Sequence, residues 1–229
     1  MDSRKQKLLT YIIKEYVKSA QAVGSSLISE KYMKDVSGPT IRNWMQELEK
    51  EGYITHKHTS AGRVPTEKGY RYYLKNLEEK KVSHKQEKDL VEATSGLQES
   101  TEKVKTIAKK IAELSGGAVV IAFSTQDVYY TGLSNLFSHP EFDDQDDVVS
   151  MSQMIDHLDE VMSEIRLVGG QVEEEITVFI GDDNPFGEEC SSVMSIMDDG
   201  LMIGILGPMR MDYASNMSLI RYVRKLLES

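Results

Sequence analysis

The chain has 229 residues, of which 40% are hydrophobic and 28% are charged, and its formal net charge is −10. This length accommodates two compact domains and a connector. The single cysteine, Cys190, excludes an internal disulfide, and no apolar run is long enough for a membrane span or a signal peptide. We therefore expect a cytoplasmic protein with no membrane association.

The first 35 residues predict two helices separated by a short break. Between Lys5 and Ala20, apolar residues recur at helical spacing: Leu8, Leu9, Ile12, Ile13, Tyr16 and Val17. The Ala22–Gly24 segment interrupts this pattern. Ser25 is a suitable N-cap for a second helix that runs to about Lys34. Its expected inner face consists of four side chains, Leu27, Ile28, Tyr32 and Met33.

A third helix follows after the short turn Asp35–Ser37. Ser37 is a good N-cap, and Pro39 fits a first turn, where the missing N–H costs nothing. The predicted buried stripe consists of Ile41, Trp44, Met45 and Leu48. The residues left outside this stripe are polar: Thr40, Asn43 and Glu47, with Arg42 and Gln46 on the flank. Two interpretations remain open, an ordinary surface helix and a helix that reads DNA.

The residues after this helix favour the second interpretation. Tyr53–His56 and Arg63–Pro65 predict two short strands, with the tip Thr59–Gly62 between them. Thr66 can cap a last helix, from Glu67 to about Leu77. Three helices, a hairpin and a helix are the order of a winged helix-turn-helix domain, in which the third helix enters the major groove.

The charge distribution agrees with DNA binding by this part of the chain alone. Residues 1–82 carry 16 basic and 10 acidic side chains, and residues 83–115 carry six of each. Residues 116–229 carry five basic and 21 acidic side chains. An acidic body repels phosphate, so we expect only the N-terminal part to contact DNA.

The candidate DNA-binding residues fall into three groups. The predicted groove contacts lie on the third helix: Thr40, Arg42, Asn43 and, more weakly, Gln46, and its N-cap Ser37 is also a DNA-binding candidate. The predicted contacts of the hairpin, or wing, are His58, Ser60 and Arg63, of which Arg63 has the alternative of entering the minor groove. The predicted phosphate contacts are Lys57, Lys68 and Arg71, and for each lysine a solvated surface position is the equal alternative.

The middle and C-terminal segments predict a helix and an α+β domain. From Leu90 to Ile111, apolar and threonine side chains alternate in steps of four and three. This pattern allows a weak coiled-coil seam, or a linker helix that packs on its own C-terminal domain, which we favour. Beyond it, five segments are rich in strand-forming residues: 118–123, 128–131, 176–180, 192–197 and 201–206. Residues 148–165 and 213–227 predict amphipathic helices.

One group of side chains suggests chemistry: His139, Glu141, Asp143, Asp144, Asp146, Asp147 and His157. Carboxylates and imidazoles bind divalent metals or transfer protons, but this spacing matches neither an EF-hand loop nor a zinc motif. Acidic residues before a helix also simply favour its macrodipole. We therefore expect that the protein is not an enzyme and that it has no catalytic residues, no metal and no cofactor.

Two distant parts of the chain, one near each end, contain segments that resemble one known family. The run from His58 to Leu74, with the Thr40–Asn43 core, is similar to the N-terminal signature of the HrcA heat-inducible transcription repressors. The segments Tyr130–Phe142, Ile180–Asn184 and Ile205–Tyr213 resemble that family's C-terminal GAF-like domain. The chain departs from the family at Trp44 and Gly38–Pro39 of the third helix, and again at Glu113–Ala118, which leads almost at once into the Tyr130 motif. The dimerising domain that the family carries as an insert thus has no counterpart here.

The resemblance implies three segments: a winged-helix DNA-binding domain (1–82), a helical linker (83–115) and a GAF-like regulatory domain (116–229). It implies a homodimeric repressor that binds double-stranded DNA at an inverted repeat of the CIRCE type near chaperone operons. It also implies that the GroEL chaperonin keeps the repressor active until heat diverts it to unfolded clients. The alternative is a regulator that responds to a small molecule bound by the GAF-like domain.

Overall fold

The computed structural model describes residues 1–56, 62–78, 80–97, 100–142, 149, 152–153, 155–169 and 175–228, with the backbone alone of 166–169. The chain divides into two compact units, Met1–Leu77 and Glu78–Ser229. It combines helices with a five-stranded antiparallel sheet, so the fold is of the mixed α+β class. Within these residues, no helix has the length and apolar character needed to cross a membrane.

Helices and one pair of short strands form the first unit. In chain order they are α1 (Ser3–Ser19), α2 (Ser25–Lys31), α3 (Gly38–Lys50), β1 (Ile54–Thr55), β2 (Val64–Pro65) and α4 (Glu67–Lys75). The strands are antiparallel, with Ile54 opposite Pro65 and Thr55 opposite Val64. The core is built from the predicted apolar stripes and includes Leu8, Leu9, Ile12, Ile13, Ile28, Ile41, Met45, Leu48 and Ile54.

Helix α2 differs from its prediction in two details. It begins at Ser25 itself, with Gly24 as an N-cap that has no side chain to bond the first turn. Leu27, expected on the inner face, is 38% exposed, whereas Ile28 is fully buried. With about 3.6 residues per turn, a seven-residue helix has a narrow buried stripe, and Ile28 with Tyr32 at i+4 occupies it.

Helices α1 and α2 are joined by a nearly buried carboxylate. Glu15 Oε2 accepts hydrogen bonds from Lys31 Nζ at 2.7 Å and from the Tyr32 hydroxyl at 2.7 Å. The Tyr32 ring stacks on Tyr11, with 4.8 Å between the ring centroids. The hydrogen bond from Lys31, and then that from Tyr32, lowers the pKa of Glu15 below its ordinary value. This network fixes the orientation of α2 on α1.

Helix α4 is held against the first strand by a close backbone approach. A Cβ added at Gly69 would lie 2.2 Å from the Tyr53 carbonyl oxygen. Thr66 caps this helix, because its Oγ1 accepts from Gly69 N at 3.1 Å and donates to the Gly52 carbonyl at 2.7 Å. A glycine is therefore required at position 69 for steric reasons, since any side chain would push α4 away from β1.

The second unit is built on the five-stranded antiparallel sheet. Its strands are β3 (Ala118–Ala122), β4 (Val128–Thr131), β5 (Thr177–Ile180), β6 (Cys190–Ile196) and β7 (Met202–Pro208), in the spatial order β4-β3-β7-β6-β5. Its helices are α5 (His84–Thr94), α6 (Ser100–Ser115), α7 (Leu133–Phe137), α8 (Leu158–Gly169) and α9 (Tyr213–Glu228). The five predicted strands are thus present, with ends shifted by up to two residues.

Both faces of this sheet are covered by helices. On one face, Val120 and Met194 pack with Leu136 of α7 and with Leu158 and Met162 of α8. Strand residues alternate between faces, so Val119 and Ile121 point to the other side, where α6 and α9 contact β3, β6 and β7. Sequence analysis missed α7, because five residues are too few to show a helical period.

The predicted linker consists of two helices that belong to the second unit. The chain breaks between α5 and α6 at Ser95–Leu97, where Gly96 has a φ of +83°. The two helices pack against each other, and α6 also packs on the sheet. The seam residues Leu90, Val104, Ala108 and Ile111 are buried in these contacts. Packing of the linker on its own C-terminal domain is therefore confirmed.

Replacement of Gly69 by Ala is expected to destabilise the N-terminal unit by about 1–3 kcal/mol, because the new Cβ forces α4 and β1 apart. Urea unfolding followed by Trp44 fluorescence measures this effect, since the chain has one tryptophan and it lies in this unit. Gly24→Ala is the control, because nothing lies within 4 Å of a Cβ at Gly24. Equal unfolding midpoints for the two variants would contradict the steric role of Gly69.

Replacement of Glu15 by Gln is expected to lower the stability of the N-terminal unit at pH 7. Folding lowers the pKa of Glu15 from about 4.5, so its stabilisation is complete above that pH and is lost as the pH falls through the folded-state pKa. The difference in melting temperature between wild type and variant, followed by Trp44 fluorescence from pH 7 to pH 3, should therefore shrink. Glu30→Gln, an exposed position on α2, controls for the change in charge. A difference that is constant with pH would refute the assignment.

Candidate nucleic-acid interface

Helix α3 presents three polar side chains to solvent. Arg42, Asn43 and Gln46 are exposed, while Ile41, Met45 and Leu48 of the same helix are buried. Among the described residues, no hydrogen bond or ion pair holds these three side chains. Their donors and acceptors are thus available to a ligand, as base-edge recognition requires.

The N-terminus of α3 carries two hydroxyl groups that bond each other. Ser37 is the N-cap, and its Oγ accepts from Thr40 N at 3.3 Å. The two hydroxyl oxygens, Ser37 Oγ and Thr40 Oγ1, are 2.8 Å apart. A hydroxyl has one donor and two acceptor positions, so this contact leaves part of their capacity unused. Ser37 is exposed and Thr40 is half-buried, so both can reach a neighbouring phosphate.

The carboxylates near the C-terminal end of α3 contact basic side chains from outside the helix. Lys5 Nζ of α1 lies 3.1 Å from Glu47 Oε2 and 2.9 Å from Glu51 Oε1. The hydrogen bond to Glu51, and then that to Glu47, raises the pKa of Lys5 well above its ordinary value, so this cation stays charged. Glu49 is bound by Arg63 and His56. Lys5 and Arg63 thereby offset part of the negative charge of these three carboxylates, which reduces repulsion of a polyanion.

Arg63 lies at the start of β2 with its side chain turned to α3. Its Nε and Nη2 are 3.1 and 3.0 Å from Glu49 Oε2, and the side chain is only 12% exposed. In this structure the guanidinium is therefore engaged within the protein. The predicted contact of Arg63 with DNA, from the wing or in the minor groove, stays a prediction.

Lys68 and Arg71 lie beside the C-terminal end of α3. Lys68 Nζ donates to the Glu51 carbonyl at 2.7 Å and lies 4.7 Å from the centroid of the Tyr53 ring. Arg71 Nε bonds Glu67 Oε1 at 2.6 Å. Both line an open groove of about 570 Å³ whose other lining residues are Gly52, Tyr53, Thr66, Glu67, Tyr72 and Lys75. With about 1.5 Å of rise per residue, Glu51 is roughly 12 Å along the helix axis from Asn43.

Three predicted contacts, Lys57, His58 and Ser60, lie outside the described residues. The structure thus brings Ser37, Thr40, Arg42, Asn43 and Gln46 onto one helix. It places Arg63 against the side of that helix, and Lys68 and Arg71 at its far end. Sequence reasoning missed the ion pairs that Lys5 and Glu49 form. The only signal for Glu49 was its position four residues after the buried Met45, on the same side of the helix.

The group proposed for metal or acid–base chemistry is only partly described. Arg210 binds Glu141 through Nε and, at 3.1 Å, through Nη2, and it also lies 3.1 Å from His139 Nδ1. His139 Nε2 is 3.1 Å from the Gly116 carbonyl, and His157 is paired instead with Glu160. Asp143, Asp144, Asp146 and Asp147 lie outside the described residues. Within the described ranges, no group of three or more His, Cys, Asp or Glu side chains is arranged to hold a metal.

Comparison with known proteins places this architecture in a family. The model of the HrcA protein C-terminal domain matches residues 69–217. A heat-inducible transcription repressor HrcA from Pelotomaculum thermopropionicum is 47% identical over 91 residues, which are 40% of this chain and 26% of that protein. The chain thus aligns with about a quarter of that relative's length.

Two further comparisons extend over the whole chain. The heat-inducible transcription repressor HrcA of Clostridioides difficile is 26% identical over 337 aligned positions, which cover 99% of this chain and 98% of that protein. Since this chain has 229 residues, at least 108 of those positions have no residue here, and the end-to-end coverage makes most of them internal.

A crystal structure at 2.2 Å of a protein described as hypothetical superposes with a TM-score of 0.80. It is 20% identical and covers 99% of this chain and 97% of its own, so it shows the same fold. The family model matches well over half of the residues, from the fourth helix of the first unit to the last helix of the second. The chain therefore belongs to the HrcA family.

Proposed function

We propose that this chain is a DNA-binding transcription repressor, with a winged helix-turn-helix domain (1–82), a helical linker (83–115) and a GAF-like regulatory domain (116–229). The observation that carries the proposal is helix α3, which exposes Arg42, Asn43 and Gln46 while its carboxylates are bound by Lys5, Arg63 and His56. Membership of the HrcA family, whose relatives are named heat-inducible transcription repressors, supports the same function.

The arrangement of the first unit supports a helix-turn-helix with a wing. Helices α2 and α3 contact each other across the short turn between Lys31 and Gly38, and α1 packs on both. The antiparallel pair β1 and β2 follows α3 directly, as the stem of a wing does. In the second unit, a sheet with helices on both faces supports the GAF-like assignment.

On this proposal, α3 enters the major groove with its N-terminal half. Arg42 has the geometry for a bidentate contact with guanine, and Asn43 for one with adenine, because each carries two polar atoms in a fixed plane. Ser37 and Thr40 bond phosphate oxygens at the rim of the groove and set the position of the helix without reading sequence. Lys57, His58 and Ser60 contact the backbone beside it, and Lys68 and Arg71 stay the weaker phosphate candidates.

The operator is proposed to be an inverted repeat of the CIRCE type, bound by a homodimer. Two half-sites related by a twofold axis require two recognition helices, about one or two helical turns apart on one DNA face. We further propose that a GroEL-type chaperonin maintains the active repressor and that heat withdraws it. Family membership supports both statements, and the name of the relatives, heat-inducible, agrees with loss of repression on heating.

The proposal is tested by fluorescence anisotropy of the full chain with a labelled CIRCE-type inverted repeat and with a scrambled duplex, across a salt series. Light scattering of the same samples, with and without chaperonin, gives the stoichiometry. Selective binding to the repeat by two copies supports the proposed function. Equal, weak and strongly salt-dependent binding to both duplexes would refute sequence-specific repression.

Replacement of Asn43 by Ala is expected to weaken binding to the operator by about 1–3 kcal/mol and to relax the preference at one base pair, if Asn43 reads a base edge. The slope of affinity against salt should not change, because Asn43 carries no charge. Lys50→Ala, an exposed cation at the end of the same helix, is the control. It should at most lower the affinity for all sequences uniformly and reduce the salt slope by about one. An Asn43→Ala variant with unchanged sequence preference would exclude the groove contact.

A further inference from the structure

The carboxylate of Glu49 contacts the two residues that flank the strands of the hairpin on the side of its tip. Its Oε2 accepts from Nε and Nη2 of Arg63, at 3.1 and 3.0 Å, and Arg63 directly precedes β2. Its Oε1 is bonded by Nδ1 of His56, which directly follows β1. The two oxygens of one side chain on the recognition helix are thus divided between the two strands of the hairpin.

Arg63 is also fixed through its backbone. Its N–H donates to the Val23 carbonyl at 2.9 Å, and its carbonyl accepts from Val23 N at 2.8 Å. At the neighbouring Gly62, an added Cβ would lie 2.7 Å from the Ala22 carbonyl group. Arg63 therefore joins the second strand to the turn between α1 and α2 through its main chain, and to α3 through its guanidinium.

The strands themselves provide little stability to this hairpin. Each has two residues, and one of the two cross-strand pairs is Ile54 with Pro65, which has no N–H to donate. A two-stranded ribbon is marginal in water even when it is longer. Additional anchors are therefore required to hold the hairpin at a defined position, and Glu49 supplies one at each strand.

The position of the Glu49–Arg63 pair makes it more effective than an exposed ion pair. The Arg63 side chain is 12% exposed and that of Glu49 is 26% exposed, so solvent screens the pair only partly. The contact from His56 requires a proton on Nδ1, which one neutral tautomer and the charged form both carry. The two contacts also restrict the same carboxylate, so the second is formed with less loss of side-chain freedom than an isolated pair.

We infer that Glu49 is a positioning residue for DNA binding: its carboxylate holds both strands of the hairpin against the recognition helix. This inference rests on the proposed function. His56 and Gly62, the described residues on either side of the hairpin tip, are thereby set relative to Asn43. A DNA duplex then meets the helix and the hairpin as one preorganised surface, which reduces the entropy lost on binding.

The experiment compares the full chain with Glu49→Gln, Arg63→Lys and the control Glu51→Gln. Glu49→Gln and Glu51→Gln remove the same negative charge from the same end of α3, but Glu51 contacts Lys5 and not the hairpin. The first measurement needs no DNA: amide hydrogen exchange at Val23 and Arg63, whose N–H groups form the bridge. The second is the affinity for the inverted repeat across a salt series, and thermal unfolding by Trp44 fluorescence identifies any variant that fails to fold.

Glu49→Gln is expected to speed exchange at both amides by roughly tenfold or more and to weaken operator binding by about tenfold, the effect of losing one charge-assisted contact. Glu51→Gln should leave exchange unchanged and bind equally or more tightly, since it removes a charge that repels phosphate. Arg63→Lys, which keeps the charge but loses the two-nitrogen contact, should lie between Glu49→Gln and wild type.

The outcomes separate this inference from the proposed function. Unchanged exchange in Glu49→Gln would overturn the anchoring by Glu49, whatever the DNA result. Faster exchange with operator affinity equal to that of Glu51→Gln would overturn its role in DNA binding. If the wild-type chain binds both duplexes alike, the proposed function fails and the role of Glu49 in DNA recognition fails with it, while exchange still decides whether Glu49 anchors the hairpin.

Discussion

Compensation of the carboxylates on α3 is the interaction on which the proposed DNA surface depends. Glu47, Glu49 and Glu51 place three negative charges along a helix that, on the proposed function, approaches a polyanion. Lys5 binds the first and the last, and Arg63 with His56 binds the middle one. Each pair is intramolecular and joins α3 to another element, so the same contacts that reduce the repulsion also fix the position of the helix in the unit. On the proposed function, the exposed Arg42, Asn43 and Gln46 face DNA from a rigid support.

The two units divide the electrostatic roles between them. Residues 1–82 carry a net charge of +6, and residues 116–229 carry a net charge of −16. A polyanionic ligand is attracted only by the first, which limits the orientations in which DNA can bind. In the second unit, Arg210 binds Glu141, and Arg224 binds Asp198 and Glu228. These pairs stabilise the sheet and its helices, and they leave the excess negative charge on the surface.

Local signals in the sequence predicted most of the fold, and long-range contacts account for what they missed. Ser37, Pro39 and the stripe from Ile41 to Leu48 determine α3 within one stretch of chain, so its start and its exposed face could be predicted. The partners of Lys5 and Glu49 are 46 and 14 residues away along the chain, and no period or motif indicates them. Arg63 shows the consequence. A basic residue near a hairpin tip suggests a DNA contact, but the tertiary structure directs its side chain to Glu49. Helix α7 was missed because it is too short to show a helical period. The predicted burial of Leu27 was wrong because a short helix buries only a narrow stripe.

The packing of α5 and α6 restricts how a dimer of this chain can form. Apolar residues spaced by four and three, such as Leu90, Val104 and Ile111, are the pattern of a coiled-coil seam, but here they are buried within the second unit. To pair between two copies, they would have to leave a core in which α6 packs on the sheet, and exposing that apolar surface costs free energy. At least 108 positions of the Clostridioides difficile relative have no counterpart in this chain. The proposed homodimer therefore requires an interface formed by surface outside this seam.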